Sequence, residues 1–310
     1  METTQKFETT TALWPSHITL VDVTARDGLQ DAATFVTTEE KLAFINALLD
    51  AGVKTIEATS FMHPRWIPQL ADADLLAAHL PRREGVTYTA LVPNMRGYER
   101  ARASGTINEV VLVVSASESH NHANLNRSID ASLQQLAQVA AQARQDGIRL
   151  RGAVATAFGC PFERQVSPAA VLRIAQRYAE IGVNEVSLAD TIGVAQPRQV
   201  YLLFSQVRAA LPERISLGAH FHDRSGYALA NVFAALQAGA TTFDAALGGL
   251  GGCPYAPGAP GNLSLEALVA YVEAMGFSTG IALPALGHAR DLIMDALAHG
   301  EPVTSTHSMR

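Results

Sequence analysis

The sequence predicts a (β/α)8 TIM barrel with additional C-terminal helices, and three observations carry that prediction. Eight short β-branched runs recur along the 310 residues, with starts about 22 to 40 residues apart, the size of one βα unit. Alanine-rich segments of helical period fill the gaps between them. Composition does not change between the two halves, so one closed repeat explains the whole chain better than two domains. An open doubly wound sheet is the competing arrangement of the same units.

The runs are HITLVDV (17–23), VKTIEAT (53–59), VTYTALV (86–92), EVVLVVS (109–115), IRLRGAVAT (148–156), VNEVSLA (183–189), ISLGAHFH (215–222) and TTFDAAL (241–247). After the first comes TTEEKLAFINALLDAG, a helix with Thr38 as N-cap and Gly52 as its stop. SIDASLQQLAQVAAQARQDG and SPAAVLRIAQRYAEIG repeat the helix-then-glycine ending. Past residue 262, LSLEALVAYVEAMG and LPALGHARDLIMDALAHG supply helices to pack beside the barrel. The expected division is therefore an N-terminal extension at 1–16, the barrel with its C-terminal helices at 17–300, and a flexible tail at 301–310.

With 48% hydrophobic and 17% charged residues, the chain has the makings of a buried parallel sheet under apolar helices, which excludes disorder. A net charge of -6 is the wrong sign for a nucleic-acid partner. Two cysteines, Cys160 and Cys253, fit a reducing compartment rather than a disulfide framework. The opening METTQKFETTTALWPSH has no signal-length apolar stretch and no later run spans a bilayer, so the expected location is cytoplasmic with no membrane partner.

In such a barrel, chemistry belongs at the C-terminal ends of the strands. Ionisable residues gather there: Arg26 and Asp27 after the first run, Glu57 in the second, Asp190 after the sixth, His220 and His222 in the seventh. Histidines at i and i+2 of a strand point to one face, so HFHD can direct both imidazoles at one ion. Alone, the pair reads as hydrogen-bonded histidines at the mouth. With Asp27 and the amide of Asn262 at neighbouring strand ends, the metal reading becomes the stronger. That N2O2 set suits Mg2+, Mn2+ or Co2+ rather than a thiolate-bound zinc. Arg26 reads as a cation for an enolate or carboxylate oxygen, oriented by Glu57, or as half of a structural salt bridge. Asp190 reads equally as a base or as a cap for the following helix. His120 and His122, in SHNHANLN, read as a solvated or substrate-contacting loop.

Together these residues resemble the 3-hydroxy-3-methylglutaryl-CoA lyase family of the DRE-TIM metallolyases. The resemblance rests on RDGLQ (26–30), EATSF (57–61), GCPFE (159–163), SLADTIGV (187–194), HFHD (220–223), ALAN (228–231) and GLGGCPYAPGAPGN (249–262). It implies cleavage of 3-hydroxy-3-methylglutaryl-CoA to acetyl-CoA and acetoacetate with a divalent metal, Mg2+ or Mn2+, in a homo-oligomer (dimer or tetramer). Asp27, His220, His222 and Asn262 are the implied metal ligands. Arg26, Glu57, Asp190, Cys253 and His220 form the implied catalytic set, and Arg26, Lys41, Asn124 and Ser187 the implied substrate contacts. Cys253, with a thiol pKa near about 8.5, suits a proton carrier on a loop that glycine lets close over the metal.

The sequence also departs from the family pattern. Ala25 stands where a proline is usual before RDGLQ, Asp31 and Ala32 replace Asn-Glu after it, and Ala189 replaces a glycine. Arg224, Ser225 and Tyr227 replace Thr, Tyr and Gln. The metal and catalytic residues are all present, so the departures bear on the acyl group. The alternatives are the same chemistry on a citramalyl-CoA-like or longer 3-substituted glutaryl-CoA, and, more remotely, a non-catalytic barrel that binds acyl-CoA or metal.

Overall fold

Eight parallel strands close on themselves, each beside the next in sequence, so the sheet has no edge and the open arrangement does not occur. The structure is a computed structural model that describes residues 14–252 and 261–303. The strands are β1 (Thr19–Asp22), β2 (Thr34–Phe35), β3 (Thr55–Ser60), β4 (Thr87–Leu91) and β5 (Glu109–Ser115), followed by β6 (Arg149–Ala155), β7 (Glu185–Asp190), β8 (Ser216–Phe221), β9 (Thr242–Ala245) and β10 (Glu301–Pro302). Each barrel strand falls within one of the eight β-branched runs or one residue past it, because burial on both faces selects such runs.

The helices α1 (Thr38–Asp50), α2 (Ala73–His79), α3 (Met95–Ala103), α4 (Glu118–Leu125) and α5 (Ile129–Gln145) follow the first four barrel strands. Then come α6 (Pro168–Ile181), α7 (Pro197–Ala210), α8 (Ala228–Gln237), α9 (Leu265–Ala274) and α10 (Leu283–His299). The N-cap of α1 is Thr37, one residue earlier than expected. Its hydroxyl accepts from the Glu40 amide while the Glu40 side chain returns to the Thr37 amide, and this reciprocal pair fixes the start. Thr38, displaced into the first turn, donates instead to Asp72 at 2.7 Å. α9 and α10 pack beside the barrel, α10 chiefly against α1.

The tail expectation is revised at its first residues. Glu301 and Pro302 pair antiparallel with Phe35 and Thr34, a two-residue ladder too short to register as a periodic run. Residues 304–310 lie outside the described residues.

Strand alternation sorts the barrel wall into two sets. On β6, Arg151, Ala153 and Ala155 face the interior cavity, while Leu150 and Val154 belong to the fully buried core between sheet and helices. Gly152 lies on that outer side, where the Tyr178 ring of α6 would meet an added Cβ at 2.6 Å. The ring sits this close because the Tyr178 hydroxyl donates to the Leu112 carbonyl at 2.7 Å, pinning α6 to β5.

Candidate functional site

β1 ends in a single π-turn, Thr24–Gly28, whose amides at Arg26, Asp27 and Gly28 all converge on the Val23 carbonyl. A wide turn of this kind places two successive side chains at the mouth where a strand would have split them between faces. The Arg26 guanidinium donates to Asp27 through Nη1 and to Glu57 Oε2 through Nη2 at 2.7 Å. Glu57 comes from β3, the neighbour of β1 in the barrel, and so orients Arg26 as the sequence suggests. The Arg26 Nε is buried and has no hydrogen-bond partner among the described residues.

The two histidines of β8 approach Asp27 from the other side. His222 Nε2 lies 3.4 Å and His220 Nε2 3.7 Å from Asp27 Oδ2. Asn262 reaches the same oxygen through Nδ2 at 2.8 Å. It does so because the chain returns alongside the end of β8: the Asp223 amide donates to the Gly261 carbonyl, and Leu263 to Phe221. Gly251 clears the space, since a Cβ there would stand 2.4 Å from Asn262 Nδ2 at a backbone φ of +120°.

Three features show that these residues fit a divalent cation. The ligand atoms of Asp27, His220 and His222 lie within 4.8 Å of one another, and all three residues are buried. Asn262 Oδ1 and His222 Nδ1 are buried without a hydrogen-bond partner among the described residues, which leaves an amide oxygen available beside the carboxylate. The third is charge. Asp27, Glu57, Glu109, Glu185 and Asp244 share the barrel interior with two buried fixed cations among the described residues, Arg26 and Arg151, and the exposed Arg149 meets Glu109 from the rim. A buried cluster with such an excess of carboxylate calls for added positive charge.

Ionisation follows the same logic. Burial works against the Asp27 carboxylate, but Arg26 and the two imidazoles overcome it and hold its pKa well below the usual range. Burial likewise opposes the His220 imidazolium, yet Asp244 and Asp27 raise its pKa. Burial raises Glu57, and Arg26 offsets this only in part.

A cavity of about 640 Å³ opens at this end of the barrel. Its polar end holds Arg26, Asp27, Glu57, His220 and His222; Leu91, Val111, Val113, Ala153 and Ala155 form an apolar wall. Asn124 and Ser187 also line it, as does Gly252, the last described residue before position 253. Cys253 lies outside the described residues.

Two expected site residues stand elsewhere. Lys41 is fully buried but faces away from the cavity: its ammonium donates to Asp72 at 2.6 Å and to the Gln69 carbonyl at 2.9 Å, above the Phe35 ring. It is absent from the cavity lining, so it ties α1 to the segment before α2 and touches no ligand there. Asp190 spends both carboxylate oxygens on the amides of Val194 and Ala195, each at 2.9 Å, and does not line the cavity either. Of its two readings the geometry supports the cap, applied to the loop after β7 rather than to α7 itself, whose N-cap is Gln196. Asn231 of α8 holds the same loop by donating to the Ala195 carbonyl.

Two residues at the site gave no sequence signal, and a third, His120, read as part of a solvated or substrate-contacting loop, stands on a helix instead. Arg151 and Asp244 occupy mid-strand positions and meet across the barrel at 2.8 Å. His120 lines the cavity from α4, and burial pushes its pKa down to about 4.

Comparison with known proteins agrees with this geometry. The HMGL-like family model matches residues 17–293. A hydroxymethylglutaryl-CoA lyase of Bacillus subtilis is 44% identical over 292 residues, spanning 94% of this chain and 96% of its own. The crystal structure of the Bacillus subtilis HMG-CoA lyase superposes with a TM-score of 0.88 at 44% identity, covering 94% of this chain and 97% of that one. An HMG-CoA lyase from Acinetobacter baumannii, solved in complex with coenzyme A and 3-methylmalate, gives 0.86 at 40% identity, with 95% and 96% covered. No helix among the described residues is long and apolar enough to cross a membrane.

Proposed function

The chain belongs to the HMGL-like family, and from that premise we propose that its barrel mouth cleaves 3-hydroxy-3-methylglutaryl-CoA to acetyl-CoA and acetoacetate. It is a carbon–carbon lyase acting on an acyl-CoA. The observation that carries the reading is the convergence of Asp27, His220, His222 and Asn262 beside Arg26 at the polar end of one cavity.

In the reaction the tertiary hydroxyl loses its proton and becomes the ketone of acetoacetate. The electrons of the C2–C3 bond pass to the acetyl-CoA enolate, which then takes a proton at carbon. A divalent ion held by Asp27, His220, His222 and Asn262, Mg2+ or Mn2+ given the mixed nitrogen and oxygen donors, supplies Lewis-acid catalysis that makes the hydroxyl more acidic.

The chain's own residues do the rest. Arg26 presents fixed positive charge to the enolate oxygen, and Glu57 and Asp27 hold its guanidinium in place, so no reorganisation is needed as charge develops. His220 belongs with the ligands, because Asp244 engages its Nδ1 while its Nε2 faces Asp27. Cys253 is assigned the proton delivered to carbon, a role supported by Gly252, next to it in the chain, lining the cavity. Asn124 and Ser187 contact the acyl-CoA from the cavity wall. Two cysteines, unfit for a disulfide framework, support a cytoplasmic location.

The apolar wall of short side chains also leaves room for a 3-substituent longer than methyl. The test is release of acetyl-CoA from 3-hydroxy-3-methylglutaryl-CoA with Mg2+ or Mn2+, run beside citramalyl-CoA and longer 3-substituted glutaryl-CoA esters. Turnover of the methylglutaryl ester that a chelator abolishes and added metal restores is the expected result. Turnover of a longer ester alone would move the assignment to that substrate, and no turnover of any ester would sink it.

A further inference from the structure

The two histidines at the mouth are held differently. His222 Nδ1 is buried with no hydrogen-bond partner among the described residues, whereas His220 Nδ1 lies 3.2 Å from Asp244 Oδ2. Strand register enforces that contact, since His220 on β8 and Asp244 on β9 are direct partners in the ladder and point into the same interior. The other Asp244 oxygen, Oδ1, accepts from Arg151 Nη1 at 2.8 Å. Arg151 is fixed in turn by Glu185, whose carboxylate lies 2.9 Å from its Nε and also accepts from Thr242 at 2.6 Å. A connected, buried line thus runs from β7 through β6 and β9 to β8: Glu185, Arg151, Asp244, His220.

Its direction of donation is determined by chemistry. An ionised carboxylate only accepts, and Asp244 is ionised beside a guanidinium that never deprotonates, so the Nδ1 of His220 carries the hydrogen. With Nδ1 committed to Asp244, Nε2 is the atom that faces Asp27 Oδ2; a proton or a metal cation fits between them, and the metal takes the place of that proton.

We infer that Asp244 is a positioning residue that fixes the Nδ1–H tautomer of His220 for metal binding, and that Arg151 holds Asp244 in register for this task. The inference rests on the metal reading of Asp27, His220 and His222 and adds two residues that touch no ligand atom of the ion. Among the described residues His222 has no equivalent support.

The test is Mn2+ affinity, read as free Mn2+ by electron paramagnetic resonance during titration of the full-length apoprotein. Asp244→Asn is expected to weaken Mn2+ by about 10- to 100-fold. Arg151→Met should produce a smaller loss in the same direction, and Arg151→Lys should recover part of it by keeping a cation beside Asp244. Asp72→Asn serves as the control: it removes an equally buried, paired carboxylate and should lower the melting temperature while leaving Mn2+ affinity unchanged.

If the Asp244 variants do not fold, the wild-type protein still decides the matter. Loaded with Mg2+, it should show a slowly exchanging, low-field ring N–H proton assignable to His220 Nδ1, and a rapidly exchanging proton there would overturn the relay. Wild type that binds Mn2+ together with a folded Asp244→Asn that binds within twofold of it overturns the relay alone. Wild type with no Mn2+ affinity overturns the metal reading and the relay with it.

Discussion

Two buried ion-pair clusters lie on opposite sides of the barrel wall, and both contain residues that sequence motifs assign to the site. Lys41 and Asp72 form a closed unit outside the sheet. One cation meets one carboxylate, the other ammonium hydrogens find the Gln69 carbonyl and the Phe35 face, and Thr38 donates to the free Asp72 oxygen. At the mouth, Arg26, Arg151 and the carboxylates around them do not balance, and among the described residues Arg26 Nε, Asn262 Oδ1 and His222 Nδ1 lack partners. The first cluster also has no face on the cavity, while the second lines it. Buried charge that is paired and satisfied is structure; buried charge that is in excess and partly unsatisfied marks where a ligand binds.

The largest effect that could break this contrast is at Asp27. Asp27→Ala removes a ligand and the partner of Arg26 together, and turnover should fall by about 1000-fold or more in a steady-state assay with saturating Mn2+. Asp72→Asn, by contrast, should leave kcat within about twofold of wild type. Comparable losses of kcat in the two variants would erase the distinction. Arg26→Gln comes next. It keeps a donor near Glu57 but loses the charge, so kcat should drop by about 100-fold while KM changes little, because the guanidinium acts on charge that develops only at the transition state. A rise in KM with kcat intact would instead make Arg26 a plain substrate anchor.

Lys41 tests the other side. Lys41→Met leaves the Asp72 carboxylate buried with only Thr38 to serve it, at a cost of about 3 kcal/mol in unfolding free energy from urea denaturation. Turnover per folded molecule should not change. Activity lost without loss of stability would return Lys41 to the substrate site.

The contrast also explains what the sequence made legible. The barrel strands are readable because burial on both faces demands apolar β-branched runs, and their spacing follows from the helix each must be joined by. The ligands are readable because H-x-H and Arg-Asp fall at strand ends, where the fold puts chemistry. Arg151 and Asp244 are not, since each sits inside a strand with no motif around it, and only closure of the barrel brings residues 93 apart in sequence together. Lys41 misleads for the opposite reason: a motif match fixes its place in the chain but not which side of the wall its ammonium faces. The start of α1 depends on a reciprocal bond between Thr37 and Glu40, and the expectation of Thr38 as cap misses it by one residue. The ladder of Thr34–Phe35 with Glu301–Pro302 joins two ends of the chain through pairs too short to carry a pattern.

The smallest effect concerns a third buried group that can carry charge, His120. It lines the cavity from α4, on an element that contributes no metal ligand, and burial holds its pKa down to about 4, with Glu163 opposing the shift only weakly. The unfolded chain takes up its proton near the ordinary value of about 6.5. Between those two values the unfolded state binds more protons than the folded one, so His120 makes the protein less stable as pH falls from about 6.5 towards 4. Above that window it contributes no pH dependence. His120→Gln should therefore flatten the pH dependence of the urea midpoint between pH 6.5 and 5, with little change at pH 8. Because the carboxylates at the mouth titrate in both proteins, the comparison is the difference between variant and wild type at each pH. A difference that is constant across the window would mean that His120 titrates at its ordinary value in the folded protein, and a difference of the opposite slope that it is held charged there, which would place the wall opposite the metal with the charged cluster rather than against it.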